Sequence, residues 1–184
     1  MQYTLAQSRL GQIEETYDFG ILLAVLFSGV LPWGLDLFTR SLGTTAWSMA
    51  AYLFGTGAAM AGMGMPFGWY SQFRLEERFG FNTTTQCTWW LDRLKALLLA
   101  LLLGYPLLVL ILKIVEWAGP AWWLWAWGSM LGFQLLMTAL APILILPLFN
   151  KFAPLPESGL RDRLLALGQR AGFPVKGIEV MDGS

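Results

Sequence analysis

Four long apolar runs, at positions 19–38, 46–70, 94–117 and 121–149, alternate with short polar stretches. A helix rises 1.5 Å per residue, so about 20 residues cross the ~30 Å hydrocarbon core of a bilayer. Each run reaches that length. The pattern therefore predicts an all-α fold, a polytopic membrane helix bundle with four transmembrane helices. Pro32 and Gly34 lie inside the first run, and Gly104 with Pro106 marks an expected kink in the third. Membrane helices tolerate such prolines when neighbours satisfy the freed carbonyls. Asp36 sits near the end of the first run, where its carboxylate reaches the headgroups. The second run carries the small-xxx-small pairs Gly57/Ala61 and Ala58/Gly62, which let helix backbones approach closely. Trp122, Trp123, Trp125 and Trp127 open the fourth run, at the interfacial level favoured by an apolar ring with a polar N–H. Gln134 and Thr138, one turn apart on the same face, are candidates for lining a polar chamber or bonding a neighbouring helix. Pro142 and Pro147 predict a kink before Asn150.

The pattern changes after Lys151. Leu160, Leu164, Leu167 and Ala171 recur at helical spacing with Arg161, Arg163 and Arg170 off that stripe, which predicts an amphipathic helix ended by Gly172-Phe173-Pro174. Residues 177–181 alternate like a short strand, and Asp182-Gly183 begins a turn. One amphipathic helix and one strand without a pairing partner bury no core. The expected organisation is a transmembrane domain over residues 1–150 and the start of a truncated soluble domain over 151–184.

Composition supports the membrane assignment: 13% of residues are charged, against about 25% in ordinary soluble domains. Lys plus Arg equals Asp plus Glu, so net charge gives no case for a nucleic-acid partner. The N-terminal polar stretch, with Arg9 against Glu14, Glu15 and Asp18, followed by an apolar run without a small-residue cleavage pattern, does not read as a signal peptide. Orientation follows from the basic residues. With four crossings, Arg9, Arg74, Arg78, Arg93, Lys95, Lys151, Arg161, Arg163, Arg170 and Lys176 share one side, against Arg40 and Lys113 on the other. Both termini are expected in the cytoplasm. A single cysteine, Cys87, excludes an internal disulfide, and the absence of histidine excludes any histidine-based metal site or general base within these residues.

Three stretches are more specific than composition. They are Glu76-Glu77-Arg78-Phe79-Gly80-Phe81-Asn82 with Thr83 to Thr85, then Ala141-Pro142 with Pro147-Leu148-Phe149-Asn150-Lys151-Phe152, and then Gly172-Phe173-Pro174 with Ile178 to Ser184. In this order and at these spacings they resemble the type I CAAX prenyl proteases, membrane-embedded zinc metalloendopeptidases. The resemblance covers residues 66–184 well; the first two runs match mainly in hydropathy. It implies a helical barrel around a water-filled chamber, cleavage near the C-terminus of prenylated or other membrane-associated proteins, and a zinc ion held by an H-E-x-x-H helix and a later glutamate. Two histidines one helical turn apart bind one ion, and the glutamate between them activates the zinc-bound water.

None of that apparatus is present, since the chain has no histidine. The resemblance therefore implies the N-terminal membrane portion of such a protease, with zinc belonging to the full-length family and not bound by this chain. It expects no hydrolysis by these residues alone. The implied partners are the lipid bilayer, the missing C-terminal catalytic domain and membrane-associated substrates. Glu76, Glu77, Arg78, Phe79, Phe81 and Asn82 are candidate loop contacts to that domain. Phe79 and Phe81 would be the apolar anchors and Asn82 the turn residue. The same charges equally suit a solvated cluster worth under ~1 kcal/mol per pair. Asn150 and Lys151 are a candidate helix–tail junction that orients the catalytic domain, and a plain helix stop serves them as well. The alternative reading is a free-standing four-helix membrane scaffold or partner protein. A small channel or transporter is disfavoured, because the membrane-centre polar groups are few.

Overall fold

A computed structural model of the chain describes residues 2–150, 152–172 and 177–181. The chain forms two compact units, Met1–Phe133 and Gln134–Ser184.

Helix α1 spans Gln2–Phe27 and α2 spans Val30–Leu42. The first expected span is thus divided, and its helix begins well before residue 19. The break falls at Ser28-Gly29, where Gly29 adopts φ +75°, a left-handed conformation costly for residues bearing a Cβ. The two helices meet at a bend of 57°. This break places Pro32 in the first turn of α2, where its missing N–H would have lacked an intrahelical partner anyway. Asp36 pairs with Arg40 one turn later, N···O 2.6 Å, both largely exposed.

Helix α3, Ala46–Tyr70, coincides with the second expected span. Thr45 caps it by accepting the Ser48 N–H at 3.2 Å. Helix α4 runs Gln86–Trp117 and starts eight residues earlier than the 94 read from hydropathy. Thr85 caps it in the same way, accepting the Thr88 N–H at 3.2 Å. The helix continues through Pro106, so the expected kink produces no break in the element.

Packing within this unit is carried by tyrosines and small residues. Tyr52 of α3 donates its hydroxyl to the Leu31 carbonyl of α2 at 2.7 Å. Its ring lies 3.5 Å from the place a Cβ on Gly34 would occupy, so the glycine admits the ring. Tyr105 of α4 donates to the Trp47 carbonyl at the start of α3, 3.1 Å away. At the other end, the Gly68 backbone of α3 lies against Trp89 and Arg93 of α4. Helices α3 and α4 are therefore antiparallel. Among the described residues, the buried apolar ones are Ala46, Ala50, Phe73, Leu75, Trp89 and Val109. Leu97, Leu98, Leu101 and Leu102 stay exposed along α4, as lipid-facing residues do.

A 3₁₀ turn at Gly119–Ala121 leads into α5, Trp122–Leu140. The backbone then widens into a π turn at Ala141–Ile145 before the short α6, Leu146–Phe149. Pro142 and Pro147 cannot donate to a regular α ladder, which accounts for the irregularity expected before Asn150.

Among the described residues, two helical stretches can cross a membrane by length and composition, Gln86–Trp117 and Gly119–Phe149, or three if the bent α1–α2 pair is one span. The expectation of four is reduced at α3. Its sequence is rich in Gly, Ala and Met, which supply less hydrophobicity per residue than leucine does.

In the second unit, β1 (Phe152–Pro154) pairs antiparallel with β2 (Glu179–Met181), with Ala153 opposite Val180. The strand expected at 177–181 therefore does have a partner, contrary to the sequence reading. Alternation alone did not mark the proline-bounded stretch at 152–154 as a strand. Between the strands lies α7, Gly159–Arg170, close to the expected amphipathic helix, with Glu157 and Arg161 paired at 3.5 Å.

Candidate functional site

The six candidate loop residues gather in one elbow between α3 and α4. After Tyr70 the backbone enters a π-helical segment, Ser71–Glu76, that buries Phe73 and Leu75. π turns hold one more residue than α turns, so they rotate the side chains that follow. The helix then stops on a Schellman motif. The Phe81 N–H donates to the Glu76 carbonyl at 2.9 Å, and the Gly80 N–H donates to the Glu77 carbonyl at 3.1 Å. Gly80 has φ +73°, the left-handed position that favours glycine at a helix C-terminus. Gly80→Ala is expected to cost about 1 kcal/mol, measured as a lower midpoint for unfolding in detergent.

Asn82 locks the elbow. Its Oδ1 accepts from Gln72 Nε2 at 3.1 Å and from the Thr84 N–H at 2.9 Å. Asn82 thereby closes a turn onto Thr84 and ties it back to the π segment. Phe79 and Phe81 do not stand free. Both pack edge-on against Tyr3 of α1, with centroids 5.3 and 5.0 Å away. Phe81 still exposes 60% of its surface, so it retains a face for another contact. Glu77 and Arg78 are exposed and Glu76 is half-buried.

Below the elbow an aromatic cluster joins α3 to α4. Phe73 meets Trp69 at 5.7 Å and Trp89 at 6.3 Å, and the Arg93 guanidinium lies 4.9 Å from the Trp89 ring centroid. Sequence reasoning missed Tyr3, Gln72, Trp89 and Arg93. The i, i+4 spacing of Trp89 and Arg93, together with the extension of α4 to its threonine cap, was the available signal. Between elbow and cluster lies an open cavity of about 440 Å³, walled by Trp69 and Phe73 and rimmed by Arg74, Glu77, Asn82 and Thr84.

The remaining candidates lie elsewhere. Gln134 and Thr138 are exposed on α5, and the Thr138 hydroxyl donates to the Gln134 carbonyl at 2.8 Å, within its own helix. Asn150 caps α6, its Nδ2 donating to the Leu146 carbonyl at 3.2 Å. Lys151 lies outside the described residues, as do Phe173, Pro174 and Asp182 to Ser184 of the third motif. A zinc centre does not fit the residues present. The chain has no histidine, its one cysteine, Cys87, is exposed, and no group of three or more metal-binding side chains gathers among the described residues.

Comparison with known proteins extends over nearly the whole chain. Residues 1–151 match the family model described as CAAX prenyl protease N-terminal, five membrane helices. A CAAX prenyl protease 1 homolog from Oryza sativa is 36% identical over 99% of this chain and 44% of its own length. CAAX prenyl protease 1 of Saccharomyces cerevisiae is 41% identical over 65% of this chain and 26% of its own length. The crystal structure of S. mikatae Ste24p superposes with a TM-score of 0.89 at 30% identity, covering 99% of this chain and 43% of that one. The chain thus spans less than half the length of these relatives.

Proposed function

The chain belongs to the CAAX prenyl protease family, and from that premise we propose that residues 1–150 form the N-terminal membrane domain of a zinc metalloendopeptidase, with the peptidase domain opening at residue 151. The observation that carries this reading is the collinear likeness to a Ste24p structure along 99% of the chain. The membrane helices would supply chamber wall and access for membrane-associated or prenylated C-terminal substrates, with Gln134 and Thr138 as polar chamber-lining candidates.

In this reading α3 crosses the membrane beside α4, and the bent α1–α2 pair makes a single crossing, giving four. The basic residues favour a cytoplasmic position for both termini. The elbow at 76–82 contacts the catalytic region, and Asn150 with Lys151 orients it. The zinc ligands belong to that region, because the present residues cannot supply them.

The test is the coding sequence that follows Ser184. An in-frame H-E-x-x-H is the expected finding. A stop codon before any such motif would favour the free-standing scaffold instead.

A further inference from the structure

The cavity beneath the elbow shares Glu77 and Asn82 with the contact surface proposed above, and its chemistry is specific. Arg74 and Glu77 both line it. They are three apart, a spacing at which a regular helix brings side chains together. Yet the ion pairs among the described residues are Asp36–Arg40, Asp92–Lys95 and Glu157–Arg161, and neither Arg74 nor Glu77 takes part. One cavity therefore presents a guanidinium and a carboxylate that no ion pair among the described residues engages, together with the aromatic walls of Trp69 and Phe73. Asn82 Oδ1 is already engaged twice, which leaves its Nδ2 to serve as a donor.

Position adds a second constraint. The charge-free stretch of α4 begins at Ala96, and Trp90 is six residues earlier, roughly 9 Å along the axis. Trp69, Tyr70, Trp89 and Trp90 concentrate at this end with Arg93 and Lys95, the composition of a membrane–water interface. A cavity of about 440 Å³ is large enough for a small ligand group.

We propose that this cavity binds the headgroup of a zwitterionic, amine-bearing phospholipid. Arg74 takes the phosphate through charge-assisted hydrogen bonds. Glu77 and the aromatic faces of Trp69 and Phe73 take the ammonium. The acyl chains then lie along the exposed leucines of α4.

The experiment is native mass spectrometry of the 184-residue chain released from detergent in the presence of short-chain phosphatidylethanolamine, phosphatidic acid or soluble phosphoethanolamine. One phosphatidylethanolamine per chain is expected. Arg74→Gln should weaken its retention at least about tenfold, the loss of a strong charge-assisted contact. Glu77→Gln should weaken phosphatidylethanolamine but spare phosphatidic acid, and Arg78→Gln should change neither. Thr84→Phe, which fills the cavity and keeps both charges, should also abolish retention; it guards against a charge variant that misfolds. Retention unchanged by Arg74→Gln and Thr84→Phe would overturn the proposal. So would equal loss in Arg78→Gln, which would indicate a diffuse basic surface. Binding of soluble phosphoethanolamine as tight as that of the lipid would overturn the assignment to a membrane lipid.

Discussion

Trp89→Ala is expected to destabilise the first unit by about 3–5 kcal/mol, the cost of truncating a large buried aromatic. Trp89 is only 6% exposed and joins Phe73, Trp90 and Arg93 at the junction of α3 with α4. Removing the indole leaves Phe73 without its partner on α4 and the Arg93 guanidinium without its aromatic partner. Trp90 is the internal control, since it is 56% exposed. Trp90→Ala is expected to cost less than about 1 kcal/mol. Reversible unfolding in mixed micelles reads both values. Equal effects at the two positions would mean that the aromatic cluster does not hold the helices together.

Zinc is expected to remain substoichiometric when the 184-residue chain is purified from cells supplied with the metal. Zinc sites draw three or four ligands from Cys, His, Asp and Glu. Here histidine is absent, Cys87 stands exposed and alone, and the acidic residues among those described do not converge. Elemental analysis after dialysis decides the point. One zinc per chain, together with peptide hydrolysis, would contradict the assignment of the chemistry to the remainder of the protein.

Much of the fold was legible because helical membrane segments follow from hydropathy and length alone. The start of α3 at Ala46 and the extent of α7 agree with simple periodicity. What periodicity could not read were backbone events. The Gly29 break and the π turns at Ser71–Glu76 and Ala141–Ile145 change hydrogen-bond register without changing hydrophobicity. The first two turns of α4 were also hidden. Residues 86–93 are mixed in polarity, and only the Thr85 cap reveals that the helix has begun. Strand β1 is three residues long and ends in proline, too short to alternate visibly.

The elbow was legible in identity but not in geometry. Gly80 and Asn82 announce a turn by their residue types, and they make one. That Phe79 and Phe81 would close on Tyr3 could not be read from spacing, because Tyr3 lies in a polar stretch more than seventy residues away. The arrangement couples the N-terminal end of α1 to the turn proposed to meet the catalytic region. Half of the third motif, Phe173, Pro174 and Asp182 to Ser184, falls outside the described residues, so that half's part in the resemblance rests on sequence.

The central claim is that these residues are the membrane portion of a CAAX-type protease. The most direct measurement is cleavage of a farnesylated CAAX peptide by the protein expressed from its whole gene and reconstituted in lipid, beside the 184-residue chain alone. The account predicts zinc-dependent cleavage near the peptide's C-terminus by the whole protein, abolished by a chelator, and none by the 184 residues. Cleavage by the 184 residues alone, or none by a folded whole protein loaded with zinc, would contradict it.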